Sequence, residues 1–323
     1  MYGESRLSDL SRALRAIASN QVARFAPRYY VTLTAQTGRG AKDDSDPSAV
    51  AAYFWDCFLE YFEVLGAGVG GISSALADRV VLEYGPGDIP GVALLMYAHG
   101  ARRVYCADRF PLLSMSRFNV EVVEALLSRF DGATRARAAG AFSRPGDLAS
   151  GLDNAAITYL VRKDGLSGLS EEVDLVVSRA VLEHVSDLEG TFLDMSGALR
   201  PGGVGVHQVD LRSHGLHRRS PLDFLTWPEG LWSMMYGHKG FPNRWRVNRY
   251  REAIARAGLD TLRMSVTATA SAHDIQEVRP RLAAPFRNLS DDDLACLGFW
   301  LVVRKPCAAC DAPAMAPLAE TVP

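Results

Sequence analysis

Lysine is scarce in this sequence: only Lys42, Lys163, Lys239 and Lys305 occur among its 35 basic residues, and the rest are arginine. Neither charge dominates, because 37 acidic residues bring the net charge of the 323-residue chain to -2. The sequence therefore lacks the basic surplus that a general nucleic-acid binder carries. We do not expect nucleic acid to be a main partner.

Long apolar runs and a regular cysteine pattern are also missing. No apolar stretch reaches the roughly 18 residues of a membrane span, and the N-terminus is rich in Arg, Ser and Asp without the apolar core of a signal peptide. The five cysteines are odd in number, and Cys57, Cys106 and Cys296 lie inside apolar runs, which is typical of a reduced protein. These absences predict a cytoplasmic protein without membrane contact.

From Val80 onward, short β-branched runs alternate with helical stretches, which is typical of a parallel sheet covered on both faces. Glycine or proline follows most of the helical stretches and would end them. The pattern predicts an α/β fold with a doubly wound, seven-stranded, mostly parallel sheet. The predicted strands are 80–82, 104–106, 157–161, 174–177, 204–209, 261–266 and 297–303, with helices at 91–99, 111–130, 188–199 and 249–257.

Three segments lie outside this alternation. Residues 1–79 are predicted to form a helical extension, with helices at 5–19 and 48–65 and Ser48 as the N-cap of the second. Residues 212–247 hold six aromatic residues and are too long for a structureless loop in a compact domain, so we expect a substrate lid there. We call this segment the aromatic insertion. The core is then 80–305, and the Ala/Pro-rich tail at 306–323 is expected to be mobile.

A glycine-rich turn, Glu83-Tyr84-Gly85-Pro86-Gly87, follows the first predicted strand. Glycine lets the backbone turn sharply and lets a ligand approach the main chain. The dinucleotide fingerprint would need glycine at position 90, where this chain has proline. Asp108 ends the next strand, 23 residues after Gly85, which is the usual reach for a carboxylate that binds ribose hydroxyls. The pattern predicts a ligand that contains a ribose.

Four segments in this order resemble the motifs of the class I S-adenosylmethionine-dependent methyltransferases: V-L-E-Y-G-P-G (81–87), V-Y-C-A-D (104–108), D-L-V-V-S-R-A-V-L-E-H-V (174–185) and A-L-R-P-G-G-V-G-V (198–206). The resemblance spans roughly residues 78–305. It implies S-adenosylmethionine as cofactor, with its methionine part beside the turn that holds Glu83, Gly85, Pro86 and Gly87. Asp108 would then hold the ribose.

The same resemblance implies further contacts with the cofactor. Arg109 would lie next to the adenine, and Ser178, at the end of the fourth strand, would border the cofactor. The acidic contact with the adenine amino group is assigned to Asp164-Gly165, after the third strand, with Asp147 as the alternative.

Methyl transfer needs an aligned acceptor, and a hydroxyl acceptor also needs a base. In a doubly wound sheet such groups lie beyond the carboxyl ends of the strands. His184 follows strand four and Asp210 follows strand five, so we expect them to meet across the crevice. This arrangement resembles that of some small-molecule O-methyltransferases of this class. His214 is the alternative base. If the acceptor is an unprotonated amine, these residues only position it.

The expected activity is O-methylation of a small molecule such as a sugar or a secondary metabolite. The alternatives are N-methylation of a small amine, a nicotinamide-dependent oxidoreductase and a catalytically silent S-adenosylmethionine-binding protein. No metal is expected, because Ala180 replaces the first glutamate of the E-x-x-E-H pattern with which some relatives bind a divalent ion. The predicted substrate contacts are Tyr29, Tyr30, Trp227, Trp232, Tyr236, Trp245 and Arg249, the last toward an anionic acceptor.

Overall fold

The computed structural model of the chain describes residues 6–34, 46–214 and 220–307, with only the backbone at 6–10 and 12. The tail prediction therefore falls outside the described residues from 308 onward. Nine strands are present in the described part: β1 Val80–Tyr84, β2 Arg103–Asp108, β3 Phe142–Arg144, β4 Asp147–Leu152, β5 Ile157–Val161, β6 Val173–Arg179, β7 Leu199–Asp210, β8 Asp260–Thr269 and β9 Cys296–Arg304.

Seven of these strands form one sheet in the order β5-β2-β1-β6-β7-β9-β8. The first five run parallel, and β9 is antiparallel to both β7 and β8. All seven predicted strands lie in this sheet, so the predicted fold class is confirmed. The strand order reverses next to β1, which creates a crevice at the carboxyl ends of β1 and β6.

Helices cover both faces of the sheet. Their bounds are α1 Arg6–Phe25, α2 Pro27–Thr34, α3 Pro47–Val64, α4 Ile72–Leu76, α5 Gly91–Ala98, α6 Arg117–Leu127, α7 Gly132–Ala139, α8 Leu188–Ala198, α9 Glu229–Tyr236, α10 Val247–Arg256, α11 Ala272–Val278 and α12 Asp291–Ala295. None of the helices in the described ranges is long and apolar enough to cross a bilayer.

Helix α3 carries a buried aromatic face that packs with α5 and α6 on the sheet. Phe58 and Phe62 are fully buried, and Phe54 touches the start of α5 so closely that a Cβ on Gly91 would clash with its ring. The N-cap is Asp46, whose carboxylate accepts hydrogen bonds from the Ser48 and Ala49 amides, so the prediction of Ser48 as the cap is wrong. Part of the N-terminal region thus contributes to the core of the sheet.

Helix α6 begins at Arg117 and is capped by Ser116, six residues later than the sequence predicts. The preceding residues are held in a loop by the Tyr159 hydroxyl, which accepts a hydrogen bond from the Leu112 amide (3.1 Å) and donates one to the Phe110 carbonyl (2.9 Å). This cross-strand anchor lies at the end of β2 and fixes the chain beside the crevice.

The described part of the aromatic insertion folds into a 3-10 turn at Asp223–Thr226 and α9. Most of its aromatic side chains pack in one cluster with residues of α1 and α11, and Trp232 lies between Phe224 and Tyr236. The side-chain amide of Asn20 on α1 donates to the Met234 carbonyl (2.8 Å), and its oxygen accepts from the His238 amide (2.8 Å). The N-terminal helix therefore holds the insertion in place over the crevice.

Candidate active site

A sharp turn joins β1 to α5 at the carboxyl edge of the parallel strands. Gly85 and Gly87 have φ values of +66° and +75°, which residues with a Cβ rarely adopt, and Pro86 between them is buried. A Cβ on Gly85 would lie 2.4 Å from Cγ2 of Val181, which follows β6. The close approach that the sequence analysis expects from a ligand at Gly85 is therefore made by a side chain of the protein itself.

Glu83, on β1, is a buried carboxylate with one unsatisfied oxygen. Its side chain is 7% exposed, and Oε2 finds no hydrogen-bond partner within the described ranges. Burial raises the pKa of Glu83 to about 8, because the charged form loses its hydration. At neutral pH this carboxyl therefore keeps its proton until a donor or a cation reaches it.

Asp108, at the end of β2, is in a similar situation. Its Oδ1 accepts a hydrogen bond from the Phe110 amide (3.1 Å), whereas Oδ2 is buried and has no partner among the residues described. Burial raises the pKa of Asp108 to about 6. The neighbouring strands β1 and β2 thus each carry, near their carboxyl ends, a buried carboxyl oxygen that has no hydrogen-bond partner among the residues described.

The predicted adenine side of the crevice brings Gly165 against Arg109. A Cβ built on Gly165, which has φ +75°, would lie 3.6 Å from Cβ of Arg109. Asp164 is exposed, and its Oδ1 accepts from the Leu166 amide (3.1 Å) in a local turn. The alternative, Asp147, lies in the β3-β4 hairpin, which the sequence analysis did not predict, and pairs with Arg144 at 2.7 Å.

Ser178, at the end of β6, is fully buried beside His207 on β7, its register partner. The Ser178 Oγ and His207 Nδ1 atoms are 2.7 Å apart. Burial lowers the pKa of His207 to about 3, so this ring is neutral. The Ser178 hydroxyl therefore interacts with His207, and it is the backbone of Ser178 that can contact a ligand in the crevice.

Glu183, which the sequence analysis did not single out, lies between His184 and His214. Nε2 of each histidine is 4.0 Å from Glu183 Oε1, and the two imidazole centroids are 4.9 Å apart. Glu183 is 1% exposed and Oε2 has no hydrogen-bond partner in the part of the chain described, whereas Oε1 accepts from the Asp210 amide at 3.3 Å. We call these three residues the Glu183 cluster.

The charge states in the Glu183 cluster follow from its surroundings. Burial raises the pKa of Glu183 well above its usual range. Although 27% of the His184 side chain is exposed, loss of hydration and then the neighbouring His214 lower the pKa of His184 to about 4. The carbonyls of Gly240 and Phe241 oppose this shift. His184 is therefore a neutral imidazole at physiological pH.

Asp210 does not form the carboxylate–imidazole pair that the sequence analysis expects. Its carboxylate is held by the Arg212 guanidinium, with Nε 2.8 Å from Oδ1 and Nη2 2.5 Å from Oδ2. Burial raises the pKa of Asp210, but the Arg212 hydrogen bonds outweigh burial and lower it. The carboxylate beside His184 and His214 is Glu183, because it points inward from the loop after β6 while Asp210 turns toward the next loop.

A cavity of about 190 Å³ lies between the end of β2 and the aromatic insertion. Arg109 and His184 line it on the side of the sheet, and Trp232, Tyr236 and Trp245 line it from the insertion. We call this cavity the insertion cavity. Asn243 ties the loop at its rim to the sheet: its side-chain Nδ2 donates to the Leu182 and Val185 carbonyls, and its backbone amide donates to the Glu183 carbonyl.

Four predicted substrate residues lie away from the insertion cavity. Tyr29 is 61% exposed on α2, and Tyr30 is buried against Phe110. Trp227 packs within the aromatic cluster of the insertion, and Arg249 pairs with Glu252 on α10 at 2.6 Å. Arg249 faces outward because the amphipathic α10 buries its opposite side, so its placement at an anionic acceptor is corrected.

The chain is similar to several known proteins. Residues 59–263 match a family model described as "Methyltransferase domain". The chain is similar to an S-adenosylmethionine-dependent methyltransferase from Mesorhizobium loti, with 20% identity over 73% of this chain and 96% of that one and a TM-score of 0.39. It is also similar to phosphoethanolamine N-methyltransferase 2 of Haemonchus contortus (13% identity, 77% and 56% covered, TM-score 0.39) and to the cyclase SpnF (13%, 90% and 96%, 0.42). No curated protein sequence matches the chain.

Proposed function

The chain belongs to the methyltransferase-domain family, and on that premise we propose that it methylates a hydroxyl group of a small molecule, such as a sugar or a secondary metabolite. The enzyme is a class I S-adenosylmethionine-dependent methyltransferase, as its sheet order and its motifs indicate. S-adenosylmethionine is its cofactor. The nicotinamide alternative is set aside by the family match.

The crevice fits this cofactor. The unsatisfied oxygens of Glu83 and Asp108 need donors, and S-adenosylmethionine carries an ammonium group and two ribose hydroxyls. Gly165 lies close to Arg109 at the end of β2, where the adenine is expected. When bound, the cofactor supplies a methyl group on a positively charged sulfur, which is an activated leaving group. The protein's task is then to position the acceptor and to handle its proton.

The observation that carries the proposal is the position of His184. It lines the insertion cavity at the carboxyl end of β6, and its neighbour His214 offers a second imidazole at the same place. A neutral imidazole nitrogen can accept a hydrogen bond from an acceptor hydroxyl and can take up its proton as methyl transfer makes the oxygen acidic. An unprotonated amine would not need such a group, so the cluster favours a hydroxyl acceptor.

The aromatic insertion supports a small acceptor with an apolar face. Trp232 and Tyr236 are buried members of a stacked cluster, so they present rigid ring surfaces to the cavity. The cavity of about 190 Å³ suits part of a compact ring system and not a macromolecule. The net charge of -2 likewise fits a small acceptor better than a nucleic acid.

The test is methyl transfer from isotopically labelled S-adenosylmethionine to pairs of small ring compounds that differ only in a hydroxyl or an amino group. We expect label in the hydroxyl member of a pair, located by mass spectrometry and NMR. His184→Asn should lower this rate by at least tenfold, and His273→Asn, a change in a surface histidine on α11, should not. Transfer to the amine members alone would overturn the hydroxyl assignment.

A further inference from the structure

We propose that Glu183, His184 and His214 form a binding site for a divalent transition-metal ion of the Zn²⁺, Fe²⁺ or Co²⁺ type. One candidate ligand atom from each residue lies within 4.8 Å of the others. Glu183 and His184 come from the loop after β6 and His214 from the loop after β7, so two neighbouring strands hold the set together.

The distances are compatible with a metal centre after small movements. Both Nε2 atoms are 4.0 Å from Glu183 Oε1. Ligands about 2.1 Å from a tetrahedral ion are about 3.4 Å apart, so each side chain has to move by less than about 1 Å. His184 and His214 are 27% and 32% exposed, and His184 lines the insertion cavity, so both rings have room for this movement.

The unsatisfied atoms point to a cation. Glu183 is 1% exposed, and its Oε2 has no hydrogen-bond partner in the stretches that the structure describes. A buried carboxyl oxygen without a donor is costly unless a cation or a donor reaches it. The Arg212 guanidinium, which lies near Glu183, is held by Asp210. An ion between the three residues would neutralise the charge of an ionised Glu183 carboxylate and use the imidazole nitrogens as ligands.

This site differs from the one that the sequence analysis rejected. Ala180 stands where that pattern has its first glutamate, so the loop after β6 supplies only Glu183 and His184 to the proposed site. The third ligand is His214, thirty positions after His184, which only the fold brings to Glu183. Two imidazoles and one carboxylate favour a transition metal over Mg²⁺, which prefers oxygen ligands and retains much of its water.

Three protein ligands leave coordination positions open toward the insertion cavity. This use of the ion rests on the proposed function: an ion there would hold the acceptor oxygen and lower the pKa of its hydroxyl. In the metal-loaded protein the imidazoles would hold the ion, and the ion would take over their part in activating the hydroxyl. The metal site itself stands on the geometry of the Glu183 cluster and is tested without the methyl-transfer reaction.

The experiment is a titration of the metal-free full chain, carrying no added histidines, with Co²⁺, followed by its visible absorption. We expect one Co²⁺ per chain with a spectrum typical of nitrogen and oxygen ligands, competed by Zn²⁺ and not by Mg²⁺. His214→Ala should weaken Co²⁺ binding at least 100-fold, and Glu183→Gln at least tenfold. His273→Ala and Cys310→Ser, which removes the cysteine pair of the tail, should retain the wild-type spectrum.

Thermal unfolding and binding of S-adenosylhomocysteine are measured on each variant. His214 is partly exposed, so His214→Ala keeps the test valid if Glu183→Gln fails to fold. Co²⁺ binding that is equally strong in wild type and His214→Ala, or absent from a folded wild type that binds S-adenosylhomocysteine, would overturn the metal site. Intact Co²⁺ binding without methylation of any hydroxyl compound would instead count against the proposed acceptor and leave the metal site supported.

Discussion

The imidazole rings of His184 and His214 meet at an interplanar angle of 62° with their centroids 4.9 Å apart, and both face the same oxygen of Glu183. This contact joins the loops that follow β6 and β7. It places two polarisable nitrogens and a buried carboxyl where the insertion cavity meets the sheet. The predictions that follow concern the groups around this contact and the crevice beside it.

Asp108→Asn should weaken binding of S-adenosylhomocysteine by about 10- to 100-fold. The buried Oδ2 of Asp108 is the atom left to accept from the ligand, and a hydrogen bond to a charged group contributes roughly 1.5–3 kcal/mol. Asp147→Asn, in the exposed hairpin, is the matched control and should bind as wild type does. Calorimetry measures both, and equal affinity in Asp108→Asn and wild type would remove Asp108 from the cofactor site.

The contribution of Glu83 to the stability of the ligand-free protein should fall as the pH rises from about 4.5 to about 8. The folded-state pKa of Glu83 is about 8 against an ordinary value of 4.5, so the folded state holds its proton more tightly than the unfolded chain. The resulting stabilisation is complete below pH 4.5 and is lost as the pH rises through 8. Denaturant unfolding across this range should show a smaller decline in Glu83→Gln than in wild type. An unchanged decline would contradict the assignment of the raised pKa to Glu83.

Cofactor binding at pH 7 should release a proton from Glu83. The neutral carboxyl of the free protein becomes ionised when the ammonium group of the ligand satisfies its buried oxygen, because an opposite charge favours the ionised form. Calorimetry in buffers with different ionisation enthalpies measures the number of protons released. Glu83→Gln should release fewer, and proton uptake by the wild type would show that another group dominates.

Gly85→Ala should destabilise the protein by about 2–4 kcal/mol. A Cβ there would be strained at φ +66° and would clash with Val181, and the two costs are each roughly 1–2 kcal/mol. Combining it with Val181→Ala should recover the part due to the clash and leave the part due to the backbone. Urea unfolding of the two single variants and the double variant measures this coupling; strictly additive effects would show that Val181 does not press on Gly85.

Trp245→Ala should raise the KM for the acceptor at least threefold while the unfolding temperature changes little. Trp245 is half-buried and lines the insertion cavity, whereas the similarly half-buried Trp227 packs inside the aromatic cluster of the insertion. Trp227→Ala is therefore the matched control and should lower stability more than it changes KM. The reverse pattern would mean that the acceptor does not bind under the insertion.

The sheet and the turn could be predicted because their causes are local. Alternation of β-branched runs with helical stretches identifies a covered parallel sheet, and Gly85 and Gly87 mark a turn that needs positive φ. The start of α6 could not be predicted in the same way. It depends on the Tyr159 hydroxyl, which comes from another strand and holds the preceding residues in a loop. The burial of Arg246 also depends on distant residues, since its guanidinium donates to the carbonyls of Leu211 and Leu294.

By itself the sequence determined the strands of the seven-stranded sheet, their motifs and the two carboxylates near the ends of β1 and β2, because hydrophobic periodicity and turn residues act over a few positions. The tertiary structure alone decided that Val181 covers Gly85 and that His214 lies beside Glu183 and His184. Such partnerships join residues from separate strand ends. They depend on strand order and side-chain direction, which no local pattern in the chain records.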